Sequence, residues 1–294
     1  MCATATAWGG IAVLATTEPQ SVRGFVRSPN GDALPFYEPA PPCPAVLLHH
    51  VAGSWERTPL AHLPVSHPML ALLPDNGALI VSPRTPWTGQ GWNPRNAHVF
   101  TADGTHSRAL ALGDDIEELT VDEAGTIWTR HGEQGWDSVM GSALVRWDVH
   151  GDRLWGSDYG DDQEAVNATA DDVWSYSRPF LNYYHRGAHE LYPCDLQNVR
   201  AIAFDNEPDP LGRLLLAAAT ELDGPSDNLH LGVVFEDDVA PIGPARIIDP
   251  VGRPINDWTV LAAHGSRLYL DDQGDGYHSL DVPTCSLQSL EGAL

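Results

Sequence analysis

Residues Gly113–Trp128 read GDDIEELTVDEAGTIW, and 47 positions further on Gly160–Trp174 read GDDQEAVNATADDVW. Both stretches open on Gly-Asp-Asp, run for about one strand, turn on small or acidic residues and close on a β-branched residue and a tryptophan. Alignment sets Asp114-Asp115 on Asp161-Asp162, Glu117 on Glu164, Thr120 on Asn167 and Ile127-Trp128 on Val173-Trp174. The same frame brings Ser66-His67, Gln197-Asn198 and Asn256-Asp257 to the paired-aspartate position. The spacings are unequal and average near the 40–50 residues of one propeller blade.

A chain that restates one unit several times folds by stacking copies of it, because a lone four-stranded sheet cannot bury both of its faces. Short apolar runs alternate with Gly/Asp/Asn turns, as in MLALLPDNGALIVS (Met69–Ser82), NAHVFTADGTHSRALAL (Asn96–Leu112) and ALVRWDVHGDRLWG (Ala143–Gly156). These are hairpin signals. Long stripes of helical period are absent, and the apolar segment Leu211–Leu222 reads as a buried strand. The expected fold is all-β: a single-domain β-propeller over residues 1–294 with about six four-stranded blades, seven being the alternative. The six segments are 1–63, 64–113, 114–160, 161–198, 199–254 and 255–294. The first carries the Pro-rich insertion Pro35–Ala45. The last is one strand short, and the strand near Gly10–Thr16 is expected to complete it. Trp128, Trp174 and Tyr269 are expected to pack between blades.

The chain has 16 basic and 40 acidic residues, a formal charge of −24, and every basic residue is Arg. That balance repels phosphate backbones and anionic bilayers, so neither nucleic acid nor membrane is an expected partner. The four cysteines are scattered and no basic, apolar leader opens the sequence, which reads as a cytoplasmic protein. A monomer is expected.

The pattern D-x-x-G-x-[IL]-W in VDEAGTIWTRHGEQG (Val121–Gly135) resembles the blade repeat of NHL-like, sensor-type and streptogramin-lyase-type propellers. The longer succession from LPDNGALIVSPRTPW through LVRWDVHGDRLW, covering about residues 64–205, resembles a group of uncharacterised actinobacterial propeller-like proteins. The resemblance implies the fold and no particular activity. The chain departs from that group at Glu133-Gln134-Gly135, where relatives carry Asp-Glu-Gly, and at Asp115, where they carry Gly.

Propellers bind ligands at the mouth of the central channel, where the loops leading into each first strand converge. Asp115, Asp162 and Asp257 are therefore candidate ligands for Ca2+ or Mg2+, which take several hard oxygen donors. His67 and His131 are candidate bases, the latter beside Glu133 in an expected loop. Glu117 and Glu164 follow two residues into their strands as candidate ligand-binding groups. The competing reading of Gly-Asp-Asp is a turn whose side chains bond to nearby backbone. Two further segments are candidate binding surfaces: Thr85–Asn96, with Trp87 and Trp92, and Ser175–Tyr192, with Arg178, Tyr183 and His185. No G-x-S-x-G, P-loop or G-x-G-x-x-G is present. The leading functional expectation is a binding or scaffold protein for a small molecule or a protein. The alternative is a divalent-cation-dependent enzyme of lactonase or lyase type.

Overall fold

The computed structural model describes residues 2–16, 23–27, 33–37, 43–51, 53–65, 67–86, 91–157, 163–170, 172–185, 188–205, 214–221, 227–235, 238–249, 251–272 and 277–282. The chain divides into two compact units, residues 1–162 and 163–294.

In the first unit, β1 (Cys2–Ala5) and β2 (Ile11–Thr16) are followed by the separate hairpin β3 (Arg23–Arg27) and β4 (Ala33–Tyr37). β5 (Cys43–Val51) and β6 (Ser54–Leu63) then complete the first sheet, in the order β1-β2-β5-β6. The second sheet is a meander of β7 (Met69–Leu72), β8 (Ala78–Val81), β9 (Ala97–Phe100) and β10 (His106–Leu110). The third is β11 (Ile116–Val121), β12 (Ile127–His131), β13 (Leu144–Trp147) and β14 (Arg153–Gly156), with a 3-10 helical segment, Glu133–Val139, between β12 and β13.

The second unit begins with the fourth sheet: β15 (Ala165–Ala168), β16 (Asp172–Ser177), β17 (Phe180–His185) and β18 (Ala188–Pro193). The fifth is β19 (Val199–Phe204), β20 (Leu214–Glu221), β21 (Asp227–Phe235) and β22 (Asp238–Ala245). A short pair follows, β23 (Ile247–Ile248) with β24 (Pro254–Ile255). The last sheet has three strands: β25 (Thr259–His264), β26 (Arg267–Asp271) and β27 (Tyr277–Asp281).

The fold is all-β, and among the described residues five propeller-like four-stranded sheets replace the expected six or seven. The final segment contributes three strands among the described residues, and the strand expected to complete it, β2, pairs instead with β1 and β5. No helix of the described residues is long and apolar enough to cross a membrane.

The side chains show why the inner strands read as unbroken apolar runs. β7 packs against β1 on one side and β11 on the other. Successive residues of a strand face opposite ways. Leu70, Leu72, Ala78, Ile80 and Phe100 therefore join the core shared with the first sheet, while Ala71, Leu73, Leu79, Val81 and Val99 join the core shared with the third. The fifth sheet repeats this. Ile202 and Phe204 pack toward the fourth sheet, with Trp174 and Tyr176, and Ala201 and Ala203 toward the last, with Leu268 and Leu270.

The turns also repeat. At Asp122–Thr126, Asp148–Asp152 and Asp249–Arg253 the first and fifth residues are joined through the backbone, and the residue before the fifth is a glycine at φ +83 to +87°. In each, the first aspartate's Oδ1 accepts the N–H of the fifth residue at 2.8 Å. The D-x-x-G pattern is thus a hairpin turn whose acid satisfies donors that the turn leaves open.

Two buried asparagines tie neighbouring sheets. In the first unit Asn96 donates through Nδ2 to the carbonyls of Ser82 (3.0 Å) and Gly113 (2.8 Å) and accepts the N–H of Leu112 (3.2 Å). In the second, Asn167 on β15 donates to Ile202 O (2.7 Å) and Gly265 O (2.9 Å) and accepts Gly265 N–H (2.8 Å). It thereby joins β15 to β19 and to the β25–β26 turn. Asn167→Ala orphans those buried groups and is expected to cost about 3 kcal/mol or more, read as a drop in the denaturant midpoint. A change under about 0.5 kcal/mol contradicts the stapling role.

Candidate functional site

Three of the aligned lead-in residues share one backbone state: His67 has φ 49°, Asp115 53° and Asn198 54°. Each sits one or two residues ahead of a first strand, β7, β11 or β19. Left-handed backbone is costly for most side chains and least so for Asn and Asp, with His also enriched there. At these positions the repeat therefore answers to a conformational demand. His67 is exposed. Asp257 is exposed ahead of β25, and Asp162 lies outside the described residues.

Asp115 is held within a polar network. Its Oδ1 pairs with Arg84 Nη1 at 2.7 Å and its Oδ2 accepts the Gln134 N–H at 3.2 Å. Arg84 also donates to Gln134 Oε1 and lies 3.9 Å from Asp114. Asp114 accepts the Thr85 N–H at 2.7 Å. Burial pushes the Asp115 carboxyl above its ordinary range; Arg84 opposes this, and Glu117 and Asp114 reinforce it. Glu117 pairs with Arg130, which also binds Glu118 at 3.2 Å. Two of the acids expected near a cation, Asp115 and Glu117, thus have arginine counter-charges. A Cβ at Gly132 would lie 2.6 Å from both Asp115 Oδ2 and Glu117 Oε1, so only glycine lets the chain pass this cluster without displacing it. Among the described residues no group of three or more His, Cys, Asp or Glu is placed to hold a metal ion.

His131 closes β12 as a buried strand residue, not in the expected loop. Its Nδ1 lies 2.7 Å from Asp114 O, which can only accept, so Nδ1 carries the proton. Trp147 Nε1 donates to Thr129 Oγ1 at 2.7 Å, and that hydroxyl donates to His131 Nε2 at 2.7 Å. Both ring nitrogens are committed, and burial lowers the imidazole pKa to about 4. The side chain is a neutral structural link. Glu133 is exposed at the start of the 3-10 segment. In the second unit Glu164 Oε2 accepts the Val199 N–H at 3.0 Å, anchoring the lead-in of β19.

The Ser175–Tyr192 window spans three strands. Trp174 is stacked by its cross-strand partner Tyr183 (4.4 Å, 23°) and meets Tyr192 of β18 at 5.8 Å. Trp128 has matching neighbours: its cross-strand partner Arg146, 5.4 Å over the ring, and Trp155 of β14 at 6.1 Å. Both tryptophans are buried, as is Tyr269. Tyr183 donates its hydroxyl to Asp172 Oδ1 at 2.6 Å, and His185 Nδ1 meets the same oxygen at 2.7 Å. Burial and the Asp172 charge raise the Tyr183 pKa. The opposite face of β17 and β18 carries Phe180, Asn182, Tyr184, His189, Leu191 and Pro193, by the register Phe180–Pro193, Asn182–Leu191 and Tyr184–His189. There the Tyr184 and His189 rings stack at 4.3 Å and 12°, and Phe180 and Leu191 are 38% and 51% exposed. Arg178 is exposed in the turn between β16 and β17. Trp92 is exposed in the other candidate loop, and Trp87 lies outside the described residues.

No protein-family model matches the sequence, nor does any curated protein. Solved structures similar to the chain include Hsv2 of Kluyveromyces marxianus (9% identity, TM-score 0.49, covering 92% of this chain and 78% of that one). Kluyveromyces lactis Hsv2 is similar at 10% identity and TM-score 0.48, covering 85% and 70%. PorZ of Porphyromonas gingivalis, described as a bacterial surface component of the type-IX secretion system, is similar at 11% and 0.46, covering 92% of this chain and 34% of its own. The neighbours are β-propeller-type proteins, and likeness at this level concerns the fold alone.

Sequence reasoning missed Arg84, Thr129 and Trp147, whose roles depend on partners in other strands or another sheet. It also passed over His98 and His106, on the two strands of one hairpin, whose ring nitrogens lie 3.1 Å apart. A histidine with a lowered folded pKa binds fewer protons folded than unfolded, so stability is lost as pH falls from the unfolded value near 6.5 toward 4. For His131 this amounts to on the order of 3 kcal/mol. His131→Asn, which can retain the bond to Asp114 O, is expected to reduce the slope of unfolding free energy with pH over that window, the part due to His98 remaining. An unchanged slope contradicts the buried neutral assignment.

Proposed function

We propose that this chain is a non-catalytic binding protein and that the outer half of the fourth sheet receives a protein partner. The observation that carries the reading is the exposed, diagonally placed pair Phe180 and Leu191 on one face of β17 and β18, with the Tyr184–His189 stack on the same face and exposed Arg178 in the turn leading into β17. Large apolar side chains exposed on one face of a sheet, with stacked aromatic rings on the same face, have the make-up of an interface centre. Aromatic rings anchored by their own stacking lose little entropy on contact. In a chain of net charge −24, Arg178 favours carboxylates at the rim of the partner's surface.

The alternative of a lactonase- or lyase-type enzyme gains no support from the described residues. His131 is neutral and engaged at both nitrogens, and Asp115 is paired with Arg84. A cytoplasmic, monomeric protein remains part of the proposal.

The test compares wild type with Phe180→Ser/Leu191→Asp. A partner captured by wild type is purified and titrated against both proteins. The variant is expected to bind at least tenfold more weakly with its melting midpoint kept within about 2 °C, since both side chains are on the surface. Equal affinity of the two proteins contradicts the assignment of this face.

A further inference from the structure

We propose that His98 and His106 form an open two-imidazole site for a borderline divalent metal ion, with Cu2+ the best fit. The sequence places them at the two ends of a tight hairpin: His98-Val99-Phe100, then Thr101–Thr105, then His106. The turn is fixed by Thr101 N–H to Thr105 O (2.9 Å) and Gly104 N–H to Thr101 O (2.8 Å), with Gly104 at φ 84°. Asp103 Oδ1 accepts the Thr105 N–H at 3.1 Å and the Thr101 hydroxyl at 2.5 Å. This turn sets Phe100 opposite His106. His98 lies two residues from Phe100 on β9, so it projects from the same face as Phe100.

The result is a preset bite. His98 Nδ1 and His106 Nε2 are 3.1 Å apart, with ring centroids at 5.2 Å and planes inclined at 47°. The buried Phe100 ring meets the His106 ring edge-on at 5.3 Å and limits its rotation. Metal–imidazole bonds are about 2.0–2.1 Å. Two nitrogens 3.1 Å apart then subtend roughly 100° at a shared metal, between the square and tetrahedral values. Neutral imidazole suits Cu2+, Ni2+ and Zn2+, with Cu2+ strongest in the series, whereas Ca2+ and Mg2+ require oxygen donors.

Both rings must offer a lone pair. The partial burial of His98 and the neighbouring His106 keep His98 deprotonated at neutral pH. Without metal, one of the two facing nitrogens carries a proton donated to the other. With metal, that proton moves to the outer nitrogen of the same ring, His98 Nε2 or His106 Nδ1. Water fills the remaining coordination positions, which makes binding reversible. This site is separate from the Arg84–Asp115 network and needs neither carboxylates nor the channel mouth.

The full chain is titrated with Cu2+ calorimetrically, beside His98→Gln and His106→Gln. Wild type is expected to show a tightest event of one equivalent, weakened at least tenfold in each variant. Electron paramagnetic resonance of the one-equivalent Cu2+ sample is expected to show two equatorial nitrogens in wild type and fewer in each variant. Unchanged affinity, or an unchanged nitrogen pattern, overturns the proposal. If a variant melts early without metal, the wild type decides. Protection of His98 and His106 from diethyl pyrocarbonate by one equivalent of Cu2+ supports the site, and full labelling in its presence overturns it.

Discussion

A four-stranded sheet with two apolar faces is stable only when something covers both, and the second and fifth sheets of this chain meet that condition residue by residue. Leu79 and Val81 point one way into the core shared with the third sheet, while Ala78 and Ile80 point the other way into the core shared with the first. Ile202 and Phe204, against Ala201 and Ala203, divide in the same manner in the second unit. Burying one such aliphatic side chain is worth roughly 1.5–3 kcal/mol. Each sheet is thus stabilised through its neighbours, and the sequence repeats because the structural problem does.

Polar groups then fix register where hydrophobic contact alone would allow slippage. Asn96 and Asn167 each satisfy three backbone groups, two of Asn96's and all three of Asn167's lying beyond their own sheet. Arg84 reaches from the second sheet's loop to Asp115 at the lead-in of the third, and Glu164 accepts the first N–H of β19. The Trp147–Thr129–His131–Asp114 chain has a single consistent set of donors and acceptors. An additional proton on His131 would break it. Charged residues around the lead-ins therefore serve mainly to hold loops against neighbouring sheets.

The repeat was legible in the sequence because its two strongest signals are local: apolar runs of one strand's length and turns closed by Asp and Gly. The aligned lead-in residues proved equivalent in backbone at His67, Asp115 and Asn198, an equivalence read from spacing alone. The number of four-stranded sheets was misjudged because β2 satisfies its hydrogen bonds with β1 and β5, a choice between sheet edges that no local pattern encodes. His131 read as a loop residue by its closeness to Glu133 and Asp137, yet β12 continues through Thr129, Arg130 and His131, three residues beyond its apolar Ile127-Trp128. The pairing of Asp115 with Arg84 spans 31 positions and could not be inferred from either residue. Trp128 and Trp174 show how far pattern reaches: their neighbours correspond strand for strand, while the identity of the covering side chain, Arg146 or Tyr183, follows from cross-strand register.

These features describe a fold whose interior is settled by contacts between neighbouring sheets. The central claim is that the second sheet is covered on both faces. The most direct measurement is the unfolding free energy of Leu79→Ala beside that of Ile80→Ala, two adjacent residues pointing into different cores. The account predicts losses of about 2–5 kcal/mol for each. A substantial loss for one with near-neutral behaviour of the other would show that one face lies open, and would contradict it.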